Sequence, residues 1–121
     1  MKLYPIETGN LKLDGGAMFG VVPKVMWSKI YPADENNLCN WSMRCLLIKD
    51  ENRIILIDNG IGNKQDDKWL KHYYLNGDDT LEGSLNNVGV TPEDIKIARN
   101  FRKYGSYFTR YRDSNRKGRR S

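Results

Sequence analysis

The chain has 121 residues, enough for one domain or part of one. Hydrophobic residues make up 39% and charged residues 29%, and no apolar run of about 18 residues exists, which excludes a membrane-spanning helix. The formal charge of +5 is unevenly spread: residues 1–95 carry 10 basic and 14 acidic side chains, whereas residues 96–121 carry 10 basic and one acidic.

Tyr4, Ile6 and Thr8 alternate with Leu3, Pro5 and Glu7, the pattern of a strand with one apolar side, and Pro5 suits an edge. Gly9-Asn10 reads as a hairpin turn before Leu11-Lys12-Leu13, and Asp14-Gly15-Gly16 as a second break. Ala17–Val22 is a short apolar segment. Pro23–Asn40 is long and irregular, and its large aromatics Trp27 and Tyr31 mark it as functional or partner-covering.

Ser42–Lys49 and Arg53–Asp58 read as two strands of a hairpin turned by Asp50-Glu51-Asn52. Both are apolar on both faces at their centres, which predicts a sheet covered on both sides. Two helices are then predicted. Asp66–Tyr74 groups Trp69, Leu70 and Tyr73; Asp79–Val88 spaces Leu81, Leu85 and Val88 at i, i+4 and i+7, with Gly89 as the stop. Thr91-Pro92-Glu93-Asp94 has the form of a helix start. No apolar strand is legible after Ile95, and the reading divides the chain into a body, residues 1–95, and a basic, aromatic-containing tail, residues 96–121.

Chemistry-bearing residues are sparse. Cys39 and Cys45 match no common zinc spacing and read as reduced core thiols. His72 is the only histidine, and one imidazole cannot hold a catalytic zinc by itself. The N-terminus has no apolar signal core, so a cytoplasmic location is expected, with no membrane partner.

Asp14-Gly15-Gly16-Ala17-Met18-Phe19-Gly20-Val21-Val22-Pro23, then Arg44–Ile48, then Ile55-Leu56-Ile57-Asp58-Asn59-Gly60, resembles the N-terminal part of a metallo-β-lactamase-fold hydrolase of the lactonase-like branch. The resemblance covers residues 1 to about 95. It implies an α/β (α+β) chain with an incomplete αβ/βα sandwich, its N-terminal half only. It implies a family activity, hydrolysis of ester, lactone or related bonds in a small-molecule substrate by metal-bound hydroxide, usually with zinc. It places Asp58 at the edge of the metal site, orienting ligands by hydrogen bonds, and makes Met18, Phe19 and Val22 a substrate-covering wall. Read from the residues alone, Asp58 serves equally as an Asx turn or helix cap, and Met18, Phe19 and Val22 as plain core.

The family's His-x-His-x-Asp-His motif should follow Thr91–Ile95, and it does not occur in this sequence. The chain is therefore expected to be a truncated hydrolase, inactive alone, with no catalytic residue, no metal ligands and no bound cofactor of its own. Three readings of residues 96–121 compete: an out-of-frame or rearranged translation product, which is favoured; a solvated, disordered tail; and a nucleic-acid-binding segment using its arginines and aromatics. Nucleic-acid binding is the alternative function and the less favoured one.

Overall fold

A computed structural model describes residues 1–62 and 64–99. It has a four-stranded sheet in the order β1-β2-β3-β4, formed by β1 (Lys2–Asp14), β2 (Leu38–Lys49), β3 (Ile54–Ile57) and β4 (Ile97–Arg99). The first three strands pair antiparallel, and β4 runs parallel to β3. Four short helices accompany them: α1 (Gly15–Phe19), α2 (Lys24–Trp27), α3 (Asp67–Leu70) and α4 (Leu81–Asn87). The class is mixed α and β, as a partial sandwich requires.

The core lies on one side of the sheet. Ile6 and Cys45 are cross-strand partners, as are Leu47 and Leu56, so alternation puts all four on one face. Helix α4 covers them, with Leu85 and Val90 fully buried in the same cluster. Thr80 caps the helix, its hydroxyl accepting from the Gly83 N–H at 3.1 Å. The Ser84 hydroxyl pins it to β1 by donating to the Glu7 carbonyl at 2.6 Å. Past Gly89 (φ 73°), Thr91 and Asp94 cap a single 3-10 turn, Pro92–Asp94, that aims the chain into β4.

A second cluster sits under α1 and α2. Phe19 stacks on Trp27 at 4.7 Å, and Tyr31 stacks on Trp41 at 4.7 Å. Gly15 makes this possible: a Cβ there would lie 2.3 Å from the Trp27 ring. Asp14 caps α1, accepting from the Ala17 N–H at 3.0 Å.

Several expectations are corrected. Gly9-Asn10 is not a hairpin turn but a bulge inside one strand: the register shifts between Glu7 and Asn10, with Gly9 at φ 106°. Glycine is favoured there because φ 106° strains any other side chain, and a Cβ would also sit 3.2 Å from the Asp79 carbonyl oxygen. The bulge also lets Asn10 exchange backbone bonds of 2.8 and 2.9 Å with Asn76. The helix expected over Asp66–Tyr74 shrinks to the single turn α3, because only Trp69, Leu70 and Tyr73 offer it an apolar side.

A strand does follow Ile95. The Lys96 N–H donates to Ile54 and the Asp58 N–H to Arg99, at 3.0 and 2.8 Å, which seats β4 on the open edge of β3. The expected two-sided cover is also corrected. Leu46, Ile48, Ile55 and Ile57 alternate onto the face opposite α4 and are half-buried rather than fully covered, and Leu3 beside them is 56% exposed. The readings made of the basic segment beyond Arg99 lie outside the described residues. Among the described residues, no helix is long and apolar enough to cross a membrane.

Candidate functional site

The site grows from the end of β3. Asp58 leaves the strand in the left-handed region, φ 63°, and Gly60 and Gly62 follow at 70° and 72°. Its backbone N–H closes the last rung to β4, and its Oδ1 accepts from the Asn59 N–H at 2.7 Å. Asp58 thus satisfies a nearby backbone donor, as an Asx-type turn would. Gly60 packs directly on Thr8, where a Cβ would come within 2.8 Å of Oγ1. The Thr8 hydroxyl itself donates to the Met43 carbonyl at 2.9 Å.

Two clefts flank this loop. The smaller, about 240 Å³, is lined by Leu11, Leu13, Met18, Trp41, Cys45, Asp58 and Ile61, among others. It brings Met18 and Asp58, 40 positions apart in the sequence, to one lining. Met18 is 47% exposed at its mouth. The other two residues of the expected wall are not brought in. Phe19 faces the aromatic cluster, 4.7 Å from Trp27 and 5.5 Å from Trp41. Val22 is exposed and lines neither cleft.

The larger cleft, about 460 Å³, lies on the other side of Gly60 and is lined by Thr8, Asn10, Asn59, Asn76, Asp79 and Thr80 with neighbouring residues. None of these was singled out from the sequence. The available signal was glycine: Gly9, Gly60 and Gly77 all line it with positive φ, letting three backbone segments approach one another. Asn59 is 3% exposed, and neither end of its amide has a partner among the described residues.

Burial pushes the Cys45 thiol up to about 12, the Asp58 charge adding to the effect, and burial raises the Cys39 thiol as well. Neither thiol is a nucleophile or a ready ligand at neutral pH. His72 is exposed in the turn after α3 and lines neither cleft. Among the described residues no group of three His, Cys, Asp or Glu side chains could hold a metal ion. Asp58 is the one acidic side chain lining the smaller cleft, and beside a protonated thiol it does not make a metal site. The described residues therefore do not fit the metal that the resemblance implies.

No family model matches the chain. No curated protein matches it either. Solved structures do. A probable metal-dependent hydrolase from Staphylococcus aureus is 39% identical over 80% of this chain, with a TM-score of 0.73. A quorum-quenching N-acyl homoserine lactone lactonase is 23% identical over 80% of this chain, with a TM-score of 0.52, a likeness of fold alone. The chain spans about a third of each, 35% of their lengths.

Proposed function

We propose that this chain, which has the fold of the N-terminal part of a metallo-β-lactamase-like metal-dependent hydrolase, supplies the substrate-side wall of such an enzyme without its reactive centre. The substrate class is a small molecule with an ester, lactone or related bond, and the metal of the complete site is zinc. The observation that carries this reading is the cleft that Met18 and Asp58 share at the end of β3. Met18 offers an apolar, adaptable surface to a substrate's hydrocarbon part. Asp58, at the end of β3, would accept hydrogen bonds from ligating side chains supplied from beyond β4. By itself the 121-residue chain is inactive, because catalytic zinc needs three protein ligands and this sequence has a single histidine. We assign it to the cytoplasm, where Cys39 and Cys45 stay reduced.

The test is turnover of lactone and ester substrates by the purified chain, with added zinc and with chelator, alongside elemental analysis. The expected outcome is no chelator-sensitive turnover and less than one tightly bound zinc per chain. Chelator-sensitive hydrolysis, or stoichiometric zinc, would overturn the inactivity.

A further inference from the structure

The larger cleft is built from segments held in place by their own hydrogen bonds. The Asn76 amide donates to Asn40 Oδ1 at 2.8 Å and to the Tyr74 carbonyl at 2.9 Å. The Thr80 hydroxyl is committed to the Gly83 N–H and the Thr8 hydroxyl to the Met43 carbonyl. Gly77, at φ 82°, lets its segment close on Asn10, where a Cβ would lie 3.3 Å from the Asn10 amide nitrogen. Asn59 is the exception. It lines the cleft and is 3% exposed, so it belongs to the floor, and both its amide nitrogen and its amide oxygen are without a partner among the described residues. A buried amide left in that state is costly, and such a group in a folded protein calls for an explanation.

We propose that this cleft binds a small molecule carrying a primary carboxamide and a cationic amine, with the carboxamide paired to Asn59. An amide that offers both a donor and an acceptor is matched by a group that has both side by side, and a carboxamide answers it with two parallel N–H···O bonds. The charged residues of the lining are Asp79 and Glu82, and no Lys, Arg or His is among the described residues that line it. That balance favours a cation and disfavours a carboxylate or a phosphate. Met43, Ile61, Leu75 and Leu81 supply apolar wall for a hydrocarbon part. The volume of about 460 Å³ lies within the range of small-molecule sites. The site is on the far side of Gly60 from the Met18–Asp58 cleft, and it needs no hydrolase activity.

Titration of the full ¹⁵N-labelled chain with leucinamide tests it, followed by proton–nitrogen correlation spectra at about pH 6.5, where an α-amine is protonated. The expected result is a saturable shift of the Asn59 side-chain amide and of the Gly60 and Gly77 N–H signals, with Kd at or below about 1 mM. Leucine, which has a carboxylate in place of the amide, should bind at least tenfold more weakly. Asn59→Leu removes both polar atoms at nearly constant size and should weaken leucinamide at least tenfold. Asp79 is exposed, so Asp79→Asn should fold whatever the Asn59 variant does. It should weaken leucinamide at least threefold and leave the uncharged N-acetyl-leucinamide unchanged. No shifts at about 10 mM leucinamide, as for a cleft that holds only water, would overturn the proposal. So would leucine binding as well as leucinamide, or leucinamide binding that ignores Asp79→Asn. Shifts centred on Met18 and Asp58 instead would move the amide to the smaller cleft and overturn the assignment to Asn59.

Discussion

Asp58 stands in a backbone conformation that costs most side chains about 1–2 kcal/mol and that aspartate and asparagine tolerate. Asp58→Asn should therefore leave stability within about 0.5 kcal/mol of wild type, since an amide oxygen can still accept from the Asn59 N–H. Asp58→Ala should cost about 1–2 kcal/mol in urea unfolding, losing the acceptor and keeping the strain. Equal stability of the two variants would remove the turn role. Four carboxylates are held below their ordinary value of 3.8, each mainly by a backbone N–H: Asp14 by Ala17, Asp34 by Leu38, Asp50 by Glu51 and Asp94 by Thr91. A depressed folded value means that the contribution is fully present above the unfolded value and is lost as pH falls through the folded one. Stability should thus be level with respect to these groups above about pH 5 and fall below about pH 4. Asp14→Asn with Asp94→Asn should flatten that fall, measured as urea midpoints from pH 7 to 2.5. The end of β3 at Asp58 and the turn into α1 around Met18 were legible as places in the chain, because the strand–Asp–x–Gly and GGAMFG runs are local patterns. The packing of Phe19 on Trp27 and Trp41 was not, because it depends on where α1 lands on β2.

Elements that announce themselves by apolar alternation or by caps were read correctly in kind. Arg53–Asp58 gave β3 with one residue lost at each end, and Thr91–Asp94 gave its cap, though only a 3-10 turn follows. Strand β4 was missed for a physical reason. A three-residue edge strand with one large apolar residue, Ile97, leaves no periodicity to find, and its parallel bonds to β3 are long-range. The bulge at Gly9 was misread because a glycine-asparagine pair serves a hairpin and a bulge alike. The importance of β4 can be measured. A chain ended after Ile95 loses the backbone bonds at Lys96 and Arg99, whereas one ended after Arg99 keeps them. The shorter chain should be less stable by about 1–2 kcal/mol. Equal urea midpoints would mean that β4 adds nothing.

At the scale of the whole molecule, the sheet has one face under α4 and another on which Leu46, Ile48, Ile55 and Ile57 are only half-buried and Leu3 is exposed. Apolar surface left in water forgoes about 25 cal/mol per Å². The transition on heating should therefore be broad, and a dye that fluoresces on apolar surface should bind before it begins. A sharp two-state transition without dye binding would contradict this. The sheet also ends asymmetrically. β1 closes one side against the Asn76 bridge, while among the described residues β4 is the last strand on the other, the Arg99 carbonyl accepting from the Asp58 N–H. Arg99 is in consequence a graft point. Any ligand loop spliced directly after it begins one hydrogen bond from Asp58 and from the mouth of the Met18 cleft. A protein engineer wishing to restore chemistry to this scaffold would add residues there and leave the first 99 untouched.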